Sequence, residues 1–275
     1  MKQKRLYISA DIEGVAAVAS AEQTGVSGFE YQQAREWMTN EVIAACEAAF
    51  EFGIEEIVIS DSHGNAQNLL PDVLPDKVQL VRGWPRPLGM MEGIDQGEYD
   101  AALLLGYHTG ARDLSGVMAH TLSSRAFRDV KLNGQSASET VISAAIAAHY
   151  QVPVIMVSGD DAYSEHAQSV FDTVETATVK WACSTTSTRS LLPREACALI
   201  HEKVATALLR LDDFAPLSIA TPVQVEVDFV NRKVAEQLAY LPMFERRSAT
   251  ELQFIGRDMP EVSQILMFLI NAGAL

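Results

Sequence analysis

The chain has 275 residues, enough for one large domain or two modest ones, and 48% of them are apolar, enough for a sizeable core. Lysine and arginine total 21 against 36 aspartates and glutamates, a net charge of −15, which argues against a nucleic-acid binder and against docking on an anionic membrane. No apolar stretch approaches the roughly 20 residues that span a bilayer, and the basic start Met1-Lys2-Gln3-Lys4-Arg5 precedes too short an apolar run for a secretory signal, so a cytoplasmic protein is expected.

A first strand is expected at residues 6–10, where Leu6-Tyr7-Ile8-Ser9-Ala10 runs into Asp11-Ile12-Glu13-Gly14. Ser27-x-x-Glu30 then has the capping-box spacing for a helix that runs to about Phe52 and stops at Gly53. Residues 57–60 read as the second strand, ending in Asp61-Ser62-His63-Gly64. Pro71, Pro75, Pro85 and Pro87 keep the next stretch mostly loop, with a short strand at 77–81 and a helical turn at 88–94. Ala101-Ala102-Leu103-Leu104-Leu105 is the next strand and runs into Gly106-Tyr107-His108. A hairpin near 126–132 with Asn133-Gly134 as its turn follows, then a helix capped by Ser138 from Glu139 to Tyr150. An apolar strand at 152–157 ends in Ser158-Gly159-Asp160-Asp161.

Beyond about residue 185 the character changes. Pro193 opens a helix to about Leu211, residues 223–229 alternate strictly as a half-exposed strand, and a helix at 232–240, a strand at 251–255 and a final helix from about Asp258 follow. The order predicts an α/β fold, with a mainly parallel sheet flanked by helices over residues 1–185 that carries the site. A smaller C-terminal α+β unit over 186–275 is expected to supply packing and contacts between copies. The cysteines Cys46, Cys183 and Cys197 are odd in number and far apart, which fits neither a disulfide framework nor a thiolate zinc site.

Short branched apolar runs separated by helices read as buried parallel strands, and open parallel sheets bind ligands at the carboxyl ends of their strands. Asp11, Glu13, His63 and His108 all follow such ends, so they can meet although far apart in sequence. Asp11 and Glu13, two positions apart, leave the same face of an extended backbone. Two carboxylates and two imidazoles suit a divalent metal, most readily zinc. Glu139, at a firmly capped helix start, is a fifth candidate. Five donors exceed what one zinc takes from protein when it keeps a water, and they suit two metals with one carboxylate bridging. Two Zn²⁺ and three carboxylates reach neutrality with one bridging hydroxide, a nucleophile available at neutral pH beside metals that polarise a carbonyl.

His120 is expected outside that ligand set, as general base, proton shuttle or oxyanion donor. Asp61 reads either as an acceptor orienting an imidazole or as a turn cap, and Asp160 and Asp161 either line the site or end their strand. His149, His166 and His201 sit in or near helical patterns without partners. Each ligand alone has a plain structural reading, Asp11 as a turn cap and the histidines as loop residues. Their joint position at strand ends is what points to a metal.

The motifs Ser9-Ala10-Asp11-Ile12-Glu13-Gly14, Ser60-Asp61-Ser62-His63, Gly106-Tyr107-His108, Gly116-Val117-Met118-Ala119-His120 and Val157-Ser158-Gly159-Asp160-Asp161 run in order along nearly the whole chain. As a set they resemble the bacterial zinc D-aminopeptidase family linked to dipeptide-transport operons. The resemblance implies two zinc ions per subunit on Asp11, Glu13, His63, His108 and Glu139, with His120 as the catalytic histidine. It also implies a homodecamer of two stacked five-fold rings with sites facing an inner chamber. The implied substrates are short peptides or amides with an N-terminal D-residue, such as D-Ala-D-Ala.

The expected function is therefore a dinuclear zinc aminopeptidase acting through a metal-bridging hydroxide. Two rivals stand beside it. One is a phosphatase-like metal hydrolase using Asp11 as nucleophile, although Glu13 stands where a second Asp is usual. The other is a non-catalytic peptide- or metal-binding protein, which would keep the ligands but have no use for His120.

Overall fold

The computed structural model describes residues 4–272; Met1, Lys2 and Gln3 of the basic start and residues 273–275 lie outside the described residues. The first half runs β1 (Arg5–Ala10), α1 (Ala21–Thr24), α2 (Tyr31–Glu51), β2 (Glu56–Asp61), β3 (Val78–Val81), β4 (Ala101–Leu105), β5 (Phe127–Leu132) and β6 (Gln135–Ser136). It continues with α3 (Glu139–His149), β7 (Val154–Asp160), α4 (Asp161–Val170), β8 (Glu175–Ser184), β9 (Ser187–Ser190) and α5 (Pro193–Leu209). The chain ends with β10 (Val223–Phe229), α6 (Arg232–Leu238), β11 (Glu245–Arg246), β12 (Glu251–Gly256) and α7 (Met259–Ala272).

Seven strands form one sheet in the order β3-β2-β1-β4-β7-β8-β9, parallel except for the β8–β9 hairpin. Side chains alternate across its central strands. Leu6, Ile8, Ile57, Ile59, Leu103 and Leu105 face a core shared with α2 and α5, while Tyr7, Val58, Ala102 and Leu104 face one shared with α3, α7 and the second sheet. Both faces are covered, which is why these strands read as continuous apolar runs. Each fully buried aliphatic side chain contributes about 1.5–3 kcal/mol. The architecture is the expected α/β fold with a mainly parallel sheet and a smaller α+β part.

The second sheet is antiparallel, in the order β11-β12-β10-β5-β6. In β10, Val223, Val225, Val227 and Phe229 are buried and the intervening polar residues are half-buried, the expected alternation. This strand needs a partner on each edge. It pairs with β12 on one side and with β5 on the other, Val225 opposite Leu132 and Val227 opposite Val130. So β5 and β6 reach the small sheet from the first half of the chain, and β9 and α5, beyond residue 185, pack with the large sheet and α2.

Local signals held in most places. Leu132 pairs with Gln135 around the Asn133-Gly134 turn, and α3 starts at Glu139 with Ser138 Oγ accepting from Val141 N at 3.2 Å. The long helix departs from expectation by beginning at Tyr31 rather than after Ser27. The Glu30 carboxylate accepts from Gln23 Nε2 at 2.9 Å and is taken out of any box with Ser27. Among the described residues, no helix is long and apolar enough to cross a membrane.

Candidate metal centre

β1 lies between β2 and β4, at the point where the strand order reverses, so the carboxyl ends of these three strands adjoin. The turn after β1 is laced to the end of β4: Asp11 N donates to Leu105 O at 2.8 Å and Gly14 N to Gly106 O at 2.7 Å. That approach requires glycine on both sides. A Cβ on Gly14 would collide with the Tyr107 carbonyl oxygen, and one on Gly106, whose φ is +67°, with that of Asp11. Ser62 N donates to Ala10 O at 2.9 Å and brings the turn after β2 alongside.

The structure brings all six expected side chains together. Asp11, Glu13 and His63 form one group and His108, His120 and Glu139 another; within each, the potential ligand atoms lie within 4.8 Å of one another. Asp11 joins the two groups, with Oδ1 3.2 Å from His63 Nδ1 and Oδ2 3.5 Å from His108 Nε2. Glu139 Oε2 is 3.5 Å from His108 Nε2 and its Oε1 is 3.6 Å from His120 Nε2. The carboxylates and His108 are buried, whereas His63 and His120 are partly exposed. The rings of His108 and His120 stack with centroids 4.2 Å apart and planes 10° apart.

Each histidine has one ring nitrogen on a backbone carbonyl. His63 Nε2 lies 2.9 Å from Thr24 O, His108 Nδ1 2.8 Å from Thr109 O, and His120 Nδ1 2.9 Å from Met118 O. A carbonyl only accepts, so that nitrogen carries the proton and the other nitrogen is turned toward carboxylates. His108 Nε2 and Glu13 Oε2 are buried without a hydrogen bond. Glu13 Oε2 does sit 3.0 Å from His63 Nδ1, but off the line a hydrogen bond needs. Orphaned nitrogen and oxygen donors converging in a buried site, with the far ring nitrogens fixed by carbonyls, fit a zinc ion.

The electrostatics agree. Burial and the neighbouring charge of Glu13 push the Asp11 carboxyl up to about 7. Burial would also raise Glu13 and Glu139, but His63 beside the first and His108 beside the second hold both below the usual carboxylate range. Burial would lower His108, yet the charge of Glu139 and its neighbours carries it up to about 10; His63 is raised in the same way by Glu13 and Asp11. The carboxylate cage thus holds protons where a cation would sit. Zinc needs the free nitrogen lone pairs and an ionised Asp11, so its uptake at pH 7 is expected to release at least two protons, one each from His63 and His108 and a further fraction from Asp11, with affinity falling as the pH drops. Calorimetry in buffers of different ionisation enthalpy reads that number, and an enthalpy independent of buffer would contradict it.

The supporting residues resolve the open sequence readings. Asp61 accepts from Asn68 N, Leu69 N and Asn68 Nδ2 and so caps its turn rather than an imidazole. Asp160 caps α4 through Tyr163 N and holds Val117 N at 2.7 Å, three residues before His120. His166 and His201 are not without partners, since His166 Nε2 meets Ser138 Oγ at 2.7 Å and His201 Nε2 lies 3.3 Å from Glu51 Oε2.

Lys180, which the sequence did not single out, is fully buried on β8. Its Nζ donates to the carbonyls of Glu13, Val15 (3.1 Å) and Val18 (2.7 Å), while Glu41 Oε1 accepts from Ala16 N at 2.9 Å. Burial lowers the Lys180 ammonium to about 8 against the opposing charges of Asp160 and Glu41. Lys180→Met leaves three carbonyls of the Glu13 loop without their donor. It is expected to destabilise the fold by about 3 kcal/mol in thermal unfolding and to weaken zinc binding about tenfold; unchanged stability and zinc affinity would contradict this positioning.

A cavity of about 990 Å³ opens over the centre, with Asp11, His63, His120 and Glu139 among its lining residues.

Comparison with known proteins bears on this geometry. The model of the D-aminopeptidase family M55 matches residues 4–268. The chain is 32% identical over 266 residues to a D-aminopeptidase of Bacillus subtilis (strain 168), covering 96% of both chains. Its fold matches that of the zinc-dependent D-aminopeptidase DppA from Bacillus subtilis, a self-compartmentalizing protease, with a TM-score of 0.93 and 31% identity over 98% of each chain.

Proposed function

This chain belongs to peptidase family M55, the D-aminopeptidases, and we propose that it is a zinc aminopeptidase removing an N-terminal D-residue from short peptides or amides. The observation that carries the reading is the set of three histidines, each anchored on a carbonyl by one nitrogen and turned toward shared carboxylates by the other. Asp11, Glu13 and His63 would hold one zinc, and His108 and Glu139 the second, with Asp11 common to both. Two bound zinc ions supply Lewis-acid polarisation of the scissile carbonyl and a hydroxide nucleophile at neutral pH.

The chain's own residues do the rest. With Nδ1–H held by Met118 O, the atom of His120 that takes or gives a proton is Nε2, and its partial exposure to the cavity lets it serve a leaving amine. Asp160, through Val117, and Glu139, whose Oε1 accepts from Leu122 N at 2.7 Å, fix the segment on either side of His120. Two nearby cations are engaged by the protein itself: Lys180 by three carbonyls, and Arg86 by Gly83 O, Ser60 Oγ, Asp61 O and Val81 O. Neither is free for a phosphoryl group, which weakens the phosphatase reading.

The self-compartmentalizing relative supports assembly for this chain too; we infer that the assembly is a decamer in the cytoplasm, with residues 186–275 supplying contacts between copies. Tyr240, Leu241 and Met243 expose apolar side chains there. Sedimentation equilibrium is expected to give ten copies of the 30.0 kDa chain, and a monomer would end that reading.

Turnover of D- and L-alanine amides, with and without a chelator, tests the activity. Hydrolysis of the D-amide, lost on chelation and restored by zinc, is expected. A clear L-preference would refute D-specificity, and chelator-indifferent activity, or no turnover of any amide, alanyl or bulkier, would refute the metallopeptidase.

A further inference from the structure

The cavity above the centre has two unlike sides. Its floor holds the carboxylates and imidazoles, but its walls are mainly apolar, built from Trp84, Pro85, Met90, Leu122, Met267 and Ile270, with Arg86, Gln264 and Asn271 as the polar exceptions. At about 990 Å³ it stands at the upper end of the roughly 300–1,000 Å³ usual for small-molecule sites, far more than a methyl side chain fills.

The walls are tied to the centre at two points. Trp84 Nε1 donates to Gly64 O at 2.8 Å, next to His63, and the Arg86 guanidinium lies 4.9 Å from the indole centroid. With its N–H engaged, the indole presents only apolar surface, and it is 41% exposed. Leu122, another lining residue, is bound through its backbone N to Glu139 Oε1. α7 contributes the half-buried Met267 and Ile270. Among the described residues no lysine lines the cavity, and Arg86, which does, has its guanidinium on four protein acceptors. No cation on these walls is free to compensate an anionic occupant, whereas an apolar group would bury surface against an aromatic ring, a thioether and branched chains.

We propose that these walls receive a bulky apolar side chain of the substrate, so that the chain prefers leucyl- or phenylalanyl-type amides and peptides over alanyl ones, with Trp84 and Met267 as specificity-determining residues. The inference rests on the aminopeptidase reading for its chemistry, but the cavity's preference can be measured without turnover.

With zinc-loaded enzyme, kcat/KM for the amides of D-phenylalanine and D-leucine is expected to exceed that for D-alanine amide by about tenfold or more. Met267→Trp, which fills the cavity, and Trp84→Ala, which removes a wall, should each cut that ratio at least several-fold. A wild-type preference for the alanyl amide, or a ratio untouched by both variants, would overturn the proposal. If no amide is turned over, the aminopeptidase reading fails separately. Calorimetric titration of the zinc-loaded protein with the same amides then decides: tighter binding of D-phenylalanine amide than of D-alanine amide supports the apolar site, and equal or absent binding refutes it.

Discussion

Asp11→Asn is expected to lose both zinc ions, and with them more than about 100-fold of the turnover. The reason is its place between the two groups, one oxygen 3.2 Å from His63 Nδ1 and the other 3.5 Å from His108 Nε2. An asparagine keeps the shape but offers one weaker oxygen and no charge, so neither metal keeps the shared ligand. Glu13→Gln is the control, because Glu13 belongs only to the group with His63. It should weaken one zinc and spare the other. Zinc content per chain and turnover, measured on both variants, separate a shared carboxylate from two independent sites. Two zinc ions in Asp11→Asn with full turnover would show that Asp11 is a turn residue and nothing more.

His120→Ala is expected to lower kcat by about 10²- to 10⁴-fold while the zinc content stays at the wild-type value. This separates two roles that the geometry brings close. His120 Nε2 lies near Glu139 Oε1 and its ring stacks on His108, so its atoms fall in the same group as two ligand candidates. Its access to the cavity and the five other donors favour proton handling over coordination. Loss of one zinc along with turnover would instead make it a ligand. A fully active variant would remove it from the mechanism altogether.

What was legible in the sequence follows from where the information lies. Strands buried on both faces leave continuous apolar runs, and β1, β2 and β4 are each followed within three residues by a donor, so Asp11, His63 and His108 could be set at one sheet edge from the sequence alone. Glu139 was legible because Ser138 caps its helix with a local bond. Lys180 was not, since a lone lysine in a strand gives no sign of burial when its three acceptors lie more than 160 positions earlier. The same holds for the pairing of β5 with β10, a contact across about a hundred residues that local patterning does not encode. Ser27-x-x-Glu30 misled because Gln23, outside the four-residue window, competes for the Glu30 carboxylate. Trp84 gave no signal either, because its role as a wall depends on α7, from the far end of the chain, lining the same cavity.

A two-metal centre built around Asp11 has a direct signature in crystals of the zinc-loaded protein. Anomalous diffraction at the zinc edge is expected to show two peaks on either side of Asp11, one beside Glu13 and His63 and the other beside His108 and Glu139. A single peak, or none within reach of Asp11, would contradict it.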